Sequence, residues 1–405
     1  MKKVFKRLSP AMTFIILLGI VSLFSDITHE GAASIRGAYL SLLGASATTI
    51  GFVSGLGELL GYSLRFVFGL ITDRTKKYWQ LTIFGYAVDV LAVPALALVH
   101  ENGWQWACFL LILERTGKAI KKPAKNTIVS FAASQEGAGK SFAIQETLDQ
   151  LGAFLGPVLL FAVMQFKTGT TYEIYTTCFA VLVIPALFTL SMLFVAKRKF
   201  PHPERFEPET KKATKFRLRP SFGLYVAAIS LFAFGFIDFS LVTMHVTKQQ
   251  LFTGSQLPLL YAGAMIIDAV AALLFGLLYD KKGLRALVIS TALSSLFAIF
   301  IFGFHSRGPI ILGVLLWGIG MGAQESIFKA VVTNLLPKQQ RAFGYGLFEF
   351  SFGIFWFLGS WLVGALYDIS LPALIVISVA AQLLSIPLYF MSTWHSRQES
   401  DMKME

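Results

Sequence analysis

The chain has 405 residues, of which 55% are hydrophobic and only 14% charged, with a formal net charge of +12 and a mean hydropathy of +0.65. Soluble domains carry roughly 25% charged residues, so this composition excludes an ordinary water-soluble enzyme and requires a surface that faces lipid. The two cysteines, Cys108 and Cys178, lie in apolar runs without metal or redox spacing and read as small buried residues.

Twelve helical spans are predicted, at 10–38, 46–72, 79–99, 104–131, 141–166, 174–196, 220–245, 255–280, 285–304, 309–335, 342–367 and 371–394. Most approach or exceed the roughly 18–20 residues that cross about 30 Å of hydrocarbon as a helix. Alternating ten-residue strands are absent from the sequence, which favours helices over a barrel. Span 1 begins like a signal peptide, but its apolar run continues past Asp26 and has a counterpart in the second half; it is read as retained.

Ionisable residues at membrane depth are costly unless paired or wet, which makes each a functional candidate. Span 1 carries Asp26 and Glu30 four residues apart, on one helical face. Such a pair can hold a proton near neutral pH or bind a cation, and Glu58 in span 2 can join it. Span 2 also offers Gly51, Gly55, Gly57 and Gly61 for close helix approach. Asp89 in span 3 reads as a structural hydrogen-bonding residue. Span 4 holds Glu114 and Arg115, and span 5 holds Glu146 and Asp149, whose partners are sought in Arg115 or the Lys118–Lys125 group. Gly152, Gly156 and Pro157 predict close packing and a bend in span 5. Asp238 and Asp268 follow in spans 7 and 8. Glu325 and Lys329 in span 10 read equally as a self-neutralised pair or as substrate contacts. His29, His245 and His305 read as interfacial histidines.

Two loop signatures occupy matching places: Gly69-Leu-Ile-Thr-Asp73-Arg74 after span 2, and Gly276-Leu-Leu-Tyr-Asp280-Lys281, with Arg285, after span 8. Asp26 and Asp238 match likewise, as do Lys140 and Arg341, in the same order. This repeat divides the chain into six-helix bundles at 1–196 and 220–405, joined by a polar, Pro-containing linker at 197–219. A parallel repeat implies a pseudo-twofold axis along the membrane normal, with the cargo site at midplane. On this layout about 28 of the 35 Lys and Arg fall on one side, which places both termini in the cytoplasm. The positive charge is thereby assigned to topology, not to nucleic-acid binding.

These residues resemble the major facilitator superfamily over essentially the whole chain. The family's loop pattern G-x-x-x-D-R-x-G-R-[KR] keeps Gly69, Asp73, Arg74 and Lys77 in the first copy, with Lys76 at the second glycine. The second copy keeps Gly276, Asp280, Gly283 and Arg285, with Lys281 at the first arginine. Gly152-Ala-Phe-Leu-Gly156-Pro157 resembles the drug:proton antiporter branch, although Leu160-Phe161 stands where a glycine pair is expected.

The resemblance implies an all-α fold of twelve transmembrane helices in two bundles. It implies a gate in which Asp73 meets the start of span 11 near Arg341, with Asp280 meeting the start of span 5. It also ranks Asp26, Arg115, Asp238 and Glu325 first for the cavity. Proton-coupled export of a drug or metabolite leads, with Asp26 and Glu30 or Glu58 holding the proton. Uptake of an anionic nutrient by symport is the alternative, followed by cation transport through the Asp26, Glu30 and Glu58 cluster. A non-transporting sensor remains a weaker alternative. No cofactor or metal is expected beyond the proton gradient. The partners expected are a small-molecule substrate and the lipid bilayer, for a monomer in a bacterial inner membrane. No H-E-x-x-H, P-loop or G-x-S-x-G motif suggests an enzyme.

Overall fold

Apolar runs of this length satisfy their backbone polar groups in the membrane only by coiling on themselves, and the chain does so almost throughout. The computed structural model describes residues 8–206, 219–335 and 341–401. Its helices are α1 (Pro10–Leu42), α2 (Ala47–Thr75), α3 (Tyr78–Ala95), α4 (Trp104–Glu136), α5 (Ala138–Phe166), α6 (Thr171–Val181) and α7 (Val183–Lys199). Then follow α8 (Pro220–Gly235), α9 (Phe239–Lys248), α10 (Gln256–Lys282), α11 (Arg285–Ser294), α12 (Phe297–Phe302), α13 (Arg307–Leu335), α14 (Arg341–Ile369) and α15 (Leu371–Asp401). Among the described residues nine segments are long and apolar enough to cross a membrane. Glu58 and many small polar residues dilute α2, while α4 carries a run of charges from Glu114 to Lys125.

Local chemistry sets the boundaries. Ser9 and Ser46 cap α1 and α2 by accepting from the N–H groups of Met12 and Thr49, at 2.9 and 3.1 Å. Thr170 and Glu173 form a reciprocal capping box at α6. Three predicted spans are each broken into two helices. Pro185 has no N–H to give the Val181 carbonyl, so the chain breaks at Leu182, between α6 and α7. The second break falls at Phe236–Asp238, between α8 and α9. Its freed carbonyls are answered from other helices: Gly235 O accepts from Ser378 Oγ at 2.6 Å and Gln382 Nε2 at 3.2 Å, and Ile237 O from Trp317 Nε1 at 2.9 Å. The third break, at Ser295–Leu296, separates α11 from α12. By contrast α5 remains one helix through Pro157.

Helices from the two ends of the sequence interleave. Across the halves the main seams join α2 to α14, α1 to α9 and α5 to α10, while α1 packs on α5 within the first half. A Cβ on Gly156 would stand 2.5 Å from Ile27 O and 2.6 Å from Gly31 N, so α1 and α5 cross backbone to backbone. One apolar core unites both halves, through residues such as Tyr39, Phe179, Phe232 and Trp317. The first half also packs around a separate cluster that includes Phe14, Trp79 and Phe131.

Candidate functional site

Two of the three leading acids, Glu30 and Glu58, are each engaged by a partner. Glu30 accepts from Tyr261 Oη of α10 at 2.6 Å, a bond between the two halves of the sequence. Glu58 pairs with Arg115 at 2.7 Å, and the Arg115 side chain runs past Gly57, where a Cβ would stand 2.9 Å from its Cγ. Asp26 faces Gly152 on α5, where an added Cβ would lie 3.0 Å from its own. Among the described residues Asp26 makes neither ion pair nor hydrogen bond, and the charges that act on it are Asp149, Lys118, Glu30 and Lys121. Glu30 acts on Asp26 and also on the Arg115 that pairs with Glu58, so the three acids share one neighbourhood. One open acid stands beside two engaged ones.

Asp238 is the N-cap of α9, its carboxylate accepting from Ser240 N–H at 2.8 Å. Asp149 is half-buried, and Glu146 is exposed, with Gln150 3.5 Å from its Oε1. Asp268 is buried where α10 crosses α13 at Gly322. Arg65 reaches Glu349 of α14 at 3.8 Å. The side chains of Glu325 and Lys329 lie outside the described residues. Asp73, Arg74, Asp280 and Lys281 are exposed, and Gly276 and Arg285 are not fully buried. Gly69 is not at a tight crossing: the nearest atom to an added Cβ is Pro123 Cβ, at 4.0 Å. The expected meeting of Asp73 with the start of α14 falls on Arg341, whose side chain is also outside the described residues.

Behind Asp26 lies a buried chain of charge that the sequence reading dispersed. His29 Nε2 stands 2.6 Å from Asp89 Oδ1, and its Nδ1 stands 2.7 Å from Glu114 Oε1. Both separations are within hydrogen-bond distance. Glu114 continues to Arg36 Nη2 at 3.2 Å, and Asp89 to Lys121 Nζ, which also donates to Ser25 Oγ at 2.9 Å. The Lys121 ammonium sits 3.9 Å from the centre of the Tyr86 ring. His29 is only 2% exposed, which corrects its reading as an interfacial residue. His245 is buried too, bonded to Tyr367 Oη at 3.0 Å; His305 is exposed, beside Gln249. Arg36 and Lys121, assigned to the two membrane faces by the charge count, are in fact buried. The available signal was a balance: two acids in spans 3 and 4 required cations at the same depth, and Arg36, Arg115 and the Lys118–Lys125 group were candidates.

His29, Asp89 and Glu114 each bring a ligand atom within 4.8 Å of the others, as a metal ion would need. Lys121 and Arg36 already neutralise the two carboxylates, so a divalent ion would add two uncompensated buried charges. The donor set does not fit one.

Apolar helices closed around paired acids and bases make up a multi-pass membrane protein. The model of the Major Facilitator Superfamily matches residues 11–253 and 224–403, and the chain belongs to that family. It is a transporter, not an enzyme. It is 36% identical over 387 residues to an uncharacterized protein of Mycobacterium tuberculosis, covering 94% of this chain and 93% of that one. An uncharacterized MFS-type transporter of Methanocaldococcus jannaschii is 24% identical over 360 residues, covering 87% and 88%. Among solved structures, a bacterial homologue of the human lysosomal transporter Spinster matches with a TM-score of 0.70 at 13% identity, covering 96% and 97% of the two chains. The nucleoside transporter NupG matches at 0.69 and 13%, covering 95% and 99%.

Proposed function

We propose that this protein is a proton-coupled antiporter that exports a small molecule by alternating access. Twelve passes form two bundles, at 1–196 and 220–405, related by a pseudo-twofold axis and joined by the 197–219 linker, in a bacterial inner membrane. Both termini and the basic loops face the cytoplasm. The chain works as a monomer, with the proton gradient as its energy source. In-order repeats and the asymmetry of Lys and Arg support this layout.

The observation that carries the coupling is Asp26, an acid in the bundle interior with no partner among the described residues, while Glu30 and Glu58 are engaged. Protonation of Asp26 removes its repulsion with Asp149 across the α1–α5 crossing; loss of the proton restores it. That difference biases the relation of the two helices and hence of the two bundles. Arg115 is held by Glu58, so its charge is not offered to an anionic cargo in this arrangement. This favours export of a neutral or basic compound over uptake of an anion.

Cargo is sought by thermal shift of the purified protein against metabolites and drugs at two pH values, because bound ligand stabilises by mass action. Flux of the resulting compound into proteoliposomes is expected to follow an imposed pH gradient and to lose that dependence in Asp26→Asn. Flux indifferent to both removes the reading.

A further inference from the structure

We propose that His29, Asp89 and Glu114 together hold one shared proton, at a site separate from Asp26 that clamps α1 to α3 and α4. The two ring nitrogens of His29 face carboxylate oxygens at 2.6 and 2.7 Å. A neutral imidazole has one N–H and one bare lone pair. A bare nitrogen against a carboxylate oxygen in a site closed to water is a repulsive contact. Both contacts become attractive when the ring carries two protons, or when one acid carries the second. Either way the triad binds one proton more than a neutral ring and two carboxylates.

The outer oxygens are pinned and cannot turn away. Asp89 Oδ2 is taken by Lys121 and Glu114 Oε2 by Arg36. With those two cations the carboxylates are balanced, so the shared proton adds one positive charge. Glu30, the next residue after His29 on α1, is an acid that can answer that charge. Tyr86 of α3 lies against Lys121, and Arg115 of α4, paired with Glu58 of α2, acts on Glu114; Asp149 of α5 and Lys118 of α4 act on the neighbouring Asp26, and Tyr261 of α10 holds Glu30. Tyr175 of α6 packs on Tyr39, His245 of α9 is bonded to Tyr367, and α7 has no charged residue between Val183 and Ala196. Loss of the proton makes one of the two contacts repulsive and loosens α1 from α3 or α4. The role of that release in transport rests on the proton-coupled reading; the binding of the proton rests on the geometry.

The test is nitrogen NMR of the ¹⁵N-histidine-labelled protein in lipid nanodiscs at neutral pH, with the signals of His29 assigned by their absence in His29→Gln. Should that variant not fold, replacing His100, His202, His305 and His395 leaves only His29 and His245 in the spectrum. Two protonated ring nitrogens are expected. Equally supportive is one protonated nitrogen together with an infrared carboxylic-acid band that vanishes in Asp89→Asn or Glu114→Gln. One bare nitrogen without such a band overturns the proposal. The supporting pattern is expected to persist in Asp26→Asn. Transport that ignores the pH gradient, with this pattern intact, therefore removes only the antiport reading.

Discussion

Asp368, at the end of α14, accepts from both the backbone N–H and the hydroxyl of Thr48, in the first turn of α2, at 3.3 and 3.2 Å. A carboxylate here meets the positive end of a helix from the other half of the sequence. Asp73 of α2, expected from the family resemblance to meet the start of α14, lies at the opposite end of the same helix.

The Asp368 contact is exposed, so its worth lies in the range of about 0.3–1 kcal/mol for a charge at a helix end. Asp368→Ala is expected to shift the population toward the state open at this end by about two- to five-fold. Spin labels at the exposed positions Leu42 and Ile369 report the change as a longer-distance population. An unchanged distribution would show that the contact carries no weight.

The crossing of α1 and α5 gives a sharper test. An alanine methyl at Gly156 overlaps the backbone of Ile27 and Gly31, atoms that move only if the helices part. Overpacking of this kind costs about 1–3 kcal/mol, so Gly156→Ala is expected to lower the unfolding temperature in detergent. Gly61→Ala is the control, since no atom lies within 4 Å of its added methyl. That variant is expected to be neutral or stabilised, by up to about 1 kcal/mol through helix propensity. Equal behaviour of the two variants would refute the close crossing.

The Glu58–Arg115 pair is partly solvated, with the two side chains 16% and 19% exposed, so the full cost of a buried charge does not apply to it. Glu58→Gln and Arg115→Gln each leave one charge unanswered, whereas the double variant leaves none. A double-mutant cycle on thermal stability is expected to return a coupling on the order of 1 kcal/mol. Strict additivity would mean that the two groups do not interact in the membrane.

The helical, membrane-spanning character and the approximate places of the helices were legible because apolar length and Gly, Pro and Ser punctuation act locally. The helix breaks were less so. Pro185 marks one by rule, but the Phe236–Asp238 break depends on Ser378, Gln382 and Trp317, which lie 80 to 147 residues away in sequence. The site was legible as a set of residues and not as a set of pairs. Asp26, Glu58 and Arg115 stand out because charge at depth is rare. That Glu58 takes Arg115, and that His29 lies between Asp89 and Glu114, depends on how α1, α2, α3 and α4 are rotated about their axes, which helical periodicity leaves open. Arg36 and Lys121 were misplaced for a related reason: a count of loop charges cannot tell a headgroup-facing cation from one turned inward to an acid.

Asp238 is where the sequence and the structure differ most usefully. Its place in span 7 suggests contact with cargo, whereas its geometry makes it the cap of α9. The two roles predict different variants. Serine also caps helix starts, and replacing a cap with alanine costs about 0.5–2 kcal/mol. If capping is its main work, Asp238→Ser keeps both unfolding temperature and flux, while Asp238→Ala lowers the temperature. If the charge is needed in the cavity, Asp238→Ser keeps stability but loses transport. The helix break itself fixes the expectation: the Asp238 carboxylate is spent on Ser240 N–H at the one turn where α9 has no preceding helical carbonyls to orient it. Asp238→Ser is therefore expected to transport at near the unmodified rate, and a stable but inactive Asp238→Ser would return this residue to the cargo pathway.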